Sequence, residues 1–157
     1  MLHRISAGAI VEHDDRVLLV RHNRPGHYDF WVCPGGGVRG DESLDQAAVR
    51  EVREETGLEV RISKLLYVEE LISPECRYVK FWFAGQLIGG EPSAAHPEAI
   101  AEYITQACWV SPTEFGQGSS FRRCCRASTG GIASVGFLAS FTFRFGEWNS
   151  GSHGTEA

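Results

Sequence analysis

The sequence predicts an α/β or α+β domain built on a mixed β-sheet. Strand-length apolar segments flank one well-capped helix, so the order is strands, helix, strands. The length of 157 residues corresponds to roughly one domain at about 150 residues each. Hydrophobic residues make up 43% and charged residues 22%, the balance of a chain that buries a core in water.

The elements follow in order. Residues 5–11 are small and apolar, His13-Asp14-Asp15 is turn-like, and 17–20 is an apolar run, which together read as a hairpin. Residues 21–29 are polar with Pro25 and Gly26 and read as a loop. Phe30-Trp31-Val32 reads as a brief strand, stopped by Pro34 and three glycines. Ser43 followed by Gln46 forms a capping box that starts a helix. Leu44, Ala47, Ala48 and Val52 share one helical face, and Gly57 ends the helix. Residues 58–62, 65–68 and 79–84 read as strands, and within the last of these Trp82 and Phe83 point to opposite faces. Residues 90–100 read as a loop with two prolines, 107–110 as a last strand, and 111–114 as a helix start.

Charge narrows the function. The formal net charge of −5 argues against a partner that is a nucleic acid polymer. No apolar run reaches the roughly 18 residues of a membrane span, and residues 1–4 lack a signal-peptide stretch. Cys33, Cys76, Cys108, Cys124 and Cys125 contain no C-x-x-C pair and read as reduced thiols of a cytoplasmic protein. The composition shifts near Phe115: residues 116–157 hold 15 Gly or Ser, one Leu and no Lys. The division is therefore 1–115 as the folded domain and 116–157 as an atypical C-terminal segment.

The chemistry concentrates between Gly36 and Leu58. On a helix Glu51, Glu54 and Glu55 fall at i, i+3 and i+4 and project from one face. Carboxylates so crowded repel one another unless a cation intervenes, and oxygen ligands suit Mg²⁺ or Mn²⁺. Arg50, four residues before Glu54, can pair with it. The glycines allow close backbone approach to a metal or phosphate. The plain alternative is a solvated acidic helix face beside an ordinary turn, which is how Arg53 and Glu59 read.

Residues 36–58 match G-x5-E-x7-R-E-U-x-E-E-x-G-U, with U aliphatic, at every fixed position, and so the chain resembles the Nudix (MutT-like) hydrolases. The segment 31–36 resembles the family's strand and glycine loop before the motif, with Cys33 where an aliphatic residue is common, and 109–115 resembles its downstream strand-to-helix segment. The resemblance covers about residues 3–115 and implies an α/β/α sandwich with a mixed β-sheet. It implies a Mg²⁺-dependent hydrolase, with Mn²⁺ as an alternative. Such an enzyme cleaves the pyrophosphate of a nucleoside diphosphate linked to another moiety, within the ADP-ribose, nucleotide-sugar or nucleoside triphosphate classes. Glu51, Glu54, Glu55 and the Gly35 carbonyl would hold the metal, and Arg50 would orient Glu54. Glu42 would be a water-linked ligand or base. Glu102, preferred to Glu98, would supply a loop carboxylate. Many family members form homodimers. The rival functions are a nucleotide sensor without turnover and a product impaired by its C-terminus.

Substrate choice lies outside the motif. Arg24, His27, Tyr28 and Arg77 are the candidates for phosphate or base contact, each against the plain reading of a surface residue. Residues 116–157 do not resemble a family C-terminus. Back-translated with G/C-rich codons and read one base earlier, the stretch from Phe121 allows, among other readings, a peptide with a proline start, an amphipathic helix and an alternating strand. That pattern suggests a frameshift that alters the C-terminal layer; the plain alternative is a flexible or species-specific tail.

Overall fold

The computed structural model describes residues 1–111 and Glu114. The atypical segment 116–157, its frameshift and the altered C-terminal layer lie outside the described residues.

Among the described residues, seven strands and two helices follow one another as β1 (Leu2–His13), β2 (Arg16–Arg24), β3 (Tyr28–Val32), β4 (Gly35–Gly37), α1 (Leu44–Thr56), β5 (Glu59–Ile72), β6 (Cys76–Gly89), α2 (Pro97–Ala101) and β7 (Ile104–Val110). The sheet is mixed, with order β3-β2-β1-β6-β5, β4 on β1 and β7 on β2. β1 and β6 run parallel and the other pairs antiparallel.

The topology positions the site through one feature. β1 and β2 pair only beside their turn, at Glu12↔Val17 and His13↔Arg16. That turn is Asp14-Asp15, both at positive φ (49° and 56°), as a two-residue hairpin demands. Beyond it the strands part. β1 pairs with the glycines of β4 (Ala7↔Gly36, Gly8↔Gly35), and β2 pairs with β7. The glycine strand therefore enters the opening between the two halves of the sheet.

The helix forms as its caps dictate. The Ser43 N–H donates to Gln46 Oε1 at 2.9 Å, closing the capping box, and Gly57 ends the helix in the left-handed region at φ 73°. Ala47, Ala48 and Val52 are buried against Ala7, Ala9, Val11, Leu18 and Val60 on one face of the sheet. On the opposite face Val17, Leu19, Cys33, Trp82, Cys108 and Val110 form a second cluster. Trp82 belongs to it, whereas Phe83 packs toward Ala47 and Ala48, so the two neighbours do serve opposite faces.

Three expectations need correction. Most of the polar loop 21–29 is strand: Arg21↔Trp31 through Arg24↔Tyr28 pair, leaving only residues 25–27 as the turn. Segments 58–62 and 65–68 are one long strand, β5, which absorbs its irregular pattern as register shifts against β6. Within 90–100 lies the start of α2, with proline in its first turn. In each case cross-strand or tertiary contacts outweigh local polarity. The helix start at 111–114 is described only at its ends, where the Ser111 N–H and hydroxyl both donate to the Glu114 carboxylate. Cys33, Cys76 and Cys108 are buried, and burial pushes Cys33 up to about 12. No helix among the described residues is long and apolar enough to cross a membrane.

Candidate active site

The acidic face of α1 is not a solvated one. Glu51 and Glu55 are each only 2% exposed, next to the buried alanines that seat the helix. Gly36 explains how Glu51 fits: a Cβ there would lie 2.7 Å from Glu51 Oε1 and 2.8 Å from Oε2. The carboxylate occupies the space a side chain would take, so glycine is required by close approach.

Arg50 is the hub of the surrounding charges. Its Nε and Nη2 donate to Glu42 at 2.9 and 2.6 Å, and Nη1 donates to Glu51 Oε1 at 2.7 Å and Glu54 Oε2 at 3.0 Å. Nη2 also donates to the Gly37 carbonyl at 2.9 Å, tying the helix to the glycine strand. The other Glu54 oxygen accepts from Arg39 at 3.0 Å. The Arg50 hydrogen bonds hold the Glu42 carboxyl down at about 2. Burial pushes Glu51 up despite Arg50, and burial followed by the Glu51 charge pushes Glu55 up.

Glu102 arrives from the other side of the cleft. It caps α2, and Tyr103 after it has φ 59°, a left-handed conformation that costs a side-chain-bearing residue about 1–3 kcal/mol. The β2–β3 hairpin holds this turn. The Asn23 N–H donates to the Tyr103 carbonyl at 2.9 Å, His22 Nδ1 lies 3.3 Å from the Glu102 carbonyl, and Arg24 sits 5.0 Å above the Tyr103 ring. So fixed, Glu51, Glu55 and Glu102 each offer an oxygen within 4.8 Å of the others.

The residues fit a hard divalent cation. Glu51 Oε2 and Glu55 Oε1 are buried oxygens without a hydrogen-bond partner, although buried carboxylate oxygens are ordinarily satisfied. Three carboxylates converging on one point supply the oxygen donors that Mg²⁺ or Mn²⁺ takes.

The structure thus joins Glu51 and Glu55 with Glu102. Glu98 is on α2 and outside that cluster. Glu54 and Glu42 border it in the grip of Arg50. The Gly35 N–H donates to Glu55 at 3.2 Å, and the Gly35 carbonyl accepts from Lys80 Nζ at 3.0 Å. Arg24 and Tyr28 face one another at the hairpin end, where Tyr28 tilts against Phe30. His27 is exposed in the hairpin turn. Arg77 lies at the start of β6, ion-paired with Glu70 at 3.3 Å. Sequence reasoning missed Lys80, Arg39 and Tyr103. Lys80 had a signal, a lysine inside the apolar run of β6; Arg39 and Tyr103 had none, because their partners are distant in sequence.

Comparison with known proteins bears on this geometry. A family model described as the NUDIX domain matches residues 2–125. The chain belongs to the NUDIX family. A solved NUDIX hydrolase from Nitrosomonas europaea superposes with a TM-score of 0.62 and 29% identity, covering 72% of this chain and 75% of that one. The α/β fold with its mixed sheet is therefore the NUDIX fold. An ADP-ribose pyrophosphatase of Methanocaldococcus jannaschii is 31% identical over 102 residues, 64% of this chain and 60% of that protein. Mouse diphosphoinositol polyphosphate phosphohydrolase 3-alpha is 48% identical over 59 residues, 38% of this chain and 35% of its own. This NUDIX chain thus spans 60% of the length of the first of these curated relatives and 35% of the second.

Proposed function

We propose that this NUDIX chain is a Mg²⁺-dependent pyrophosphohydrolase. Its substrate is a nucleoside diphosphate linked to another moiety, in the ADP-ribose or nucleotide-sugar class. The observation that carries the reading is the convergence of Glu51, Glu55 and Glu102 around two buried, unpartnered carboxylate oxygens. The name of the archaeal relative favours ADP-ribose among the substrates.

Glu51, Glu55 and Glu102 would hold the cation, with the Gly35 carbonyl and Glu54 at its margin. When bound, such a cation offsets the charge of the diphosphate and lowers the pKa of a coordinated water. The chain's own residues do the rest. Arg50 fixes Glu51 Oε1, keeps Glu42 ionised and holds Glu54 in place. Glu102, the exposed member, takes the proton of the attacking water at the carboxylate oxygen not offered to the cation. His22 and Asn23 hold the backbone at Glu102 and Tyr103, so the base is positioned by the hairpin beneath it. Arg24 and Tyr28 on the same hairpin contact the nucleoside, and Arg77 a distal phosphate. The domain is residues 1–115, and it works in the cytoplasm.

The test is nucleotide or phosphate release with Mg²⁺ from ADP-ribose, other nucleotide sugars, dinucleoside polyphosphates and nucleoside triphosphates, with Glu55→Gln as control. Glutamine keeps the size of the side chain and an oxygen for the Gly35 N–H but removes the charge. Turnover of ADP-ribose that falls about 100-fold or more in the control supports the reading. A folded, monodisperse protein that binds these nucleotides without turnover overturns it in favour of a sensor.

A further inference from the structure

β6 lies inside the sheet, between β1 and β5, and Lys80 stands in its middle opposite Ser6 and Glu69. A lysine in such a place is costly unless its charge is matched. It is matched here by two contacts. The ammonium donates to the Gly35 carbonyl at 3.0 Å and lies 4.1 Å from the centroid of the Trp82 ring. The same glycine donates its N–H to Glu55, so Lys80 is one residue removed from the carboxylate cluster.

The cluster is unevenly satisfied. Glu51 Oε1 has Arg50 and Glu55 Oε2 has the Gly35 N–H, whereas Glu51 Oε2 and Glu55 Oε1 have no partner. Lys80 therefore offsets their charge from a distance while its hydrogen bond is spent on a backbone carbonyl. A divalent cation drawn to those two oxygens would repel Lys80 and compete for that carbonyl. The lysine stem is long and flexible, and moving it forfeits the Gly35 hydrogen bond and the contact with the Trp82 ring. An anionic diphosphate entering the cleft offers the displaced ammonium a better acceptor.

We propose that Lys80 is a displaceable counter-ion: it holds the Gly35 carbonyl until a divalent cation binds, then yields it and takes a phosphate oxygen of the substrate. The proposal rests on the metal-dependent reading above. It makes Lys80 a positioning residue for the empty site and a binding residue for the loaded one.

The experiment measures two affinities in wild type, Lys80→Met and Lys80→Arg. Mn²⁺ binding without nucleotide is read by electron paramagnetic resonance. Binding of the non-hydrolysable analogue α,β-methylene-ADP is then read at saturating Mn²⁺. Lys80→Met is expected to bind Mn²⁺ about 10-fold tighter and the analogue about 10-fold weaker, each a change of about 1.4 kcal/mol. Lys80→Arg keeps the charge and is expected to stay near wild type in both. Changes of opposite sign are what a purely structural lysine would not produce. Parallel weakening of both affinities, or no change in either one, overturns the proposal. Should Lys80→Met not fold, Lys80→Gln removes the charge with the same expectations. A wild type that binds no Mn²⁺ overturns the metal-dependent reading itself, and Lys80's role with it.

Discussion

Arg50→Met is the perturbation whose cost follows most directly from the geometry. Arg50 makes five hydrogen bonds, two to Glu42 and one each to Glu51, Glu54 and the Gly37 carbonyl. Methionine keeps much of the aliphatic stem and removes all five. Glu51 bears the main consequence: it is 2% exposed, Oε2 already has no partner, and Oε1 would lose its own. Breaking a buried ion pair by removing one partner costs about 3–5 kcal/mol. Protonation of Glu51 caps that cost, so about 3 kcal/mol is expected at neutral pH. For a domain of this size that lowers Tm by roughly 6–12 °C.

The pH dependence has a definite sign. In wild type Glu42 is held at about 2, below its usual 4.5, so its stabilisation is present above about 4.5 and lost as pH falls toward 2. Arg50→Met removes that stabilisation. In the variant, Glu51 has a raised pKa with no guanidinium to oppose burial, so its charge penalises the fold at high pH, and the penalty is relieved by acid. Both effects make the gap between wild type and variant widest at neutral pH and narrowest in acid. Thermal melts with EDTA from pH 8 to pH 4 measure it. A Tm difference under about 2 °C at pH 7, or one that stays constant down to pH 4, would refute the argument.

Two further predictions concern the carboxylate cluster. Gly36→Ala places a methyl 2.7 Å from Glu51 Oε1, so the carboxylate must shift. A displacement of about 1 Å at a reacting centre costs about 100-fold; kcat should drop accordingly with Mn²⁺ affinity, and an unchanged Mn²⁺ titration would count against the cradle. Glu102→Gln should lower kcat by about 100-fold or more, while Glu98→Gln, outside the cluster, should stay within about 2-fold. Steady-state kinetics on the two variants side by side checks this, and equal losses would dismiss the preference for Glu102.

Much of the fold was legible because it is specified locally. The capping box at Ser43 and Gln46, the αL stop at Gly57 and the apolar face of α1 depend on neighbours within a turn or two. The strand lengths were not legible. Residues 21–24 of β2 are polar, yet they pair with β3 and, in part, with β7 on their two sides. A strand flanked by two partners is held by backbone hydrogen bonds that its own polarity does not reveal. The seam between β1 and β2 was equally invisible, because nothing in residues 5–20 says that glycines from residue 35 onward will pair along β1.

Which residues carry the charge of the site follows from local spacing alone. Spacing along one helix places Glu51, Glu54, Glu55 and Arg50 within reach of one another in any context where the helix forms. Which carboxylates converge depends on contacts between distant parts of the chain. Glu54 turns to Arg50 and Arg39, while Glu51 and Glu55 meet Glu102. Burial decided it as well: a helix face of four charges is ordinarily solvated, and here Glu51 and Glu55 are sealed by the glycine strand lying across them. The reason is separation along the chain. Contacts within a turn of helix follow from local geometry, whereas Glu102 and Lys80 reach the site through strand pairing and a left-handed turn at Tyr103 that no local pattern encodes.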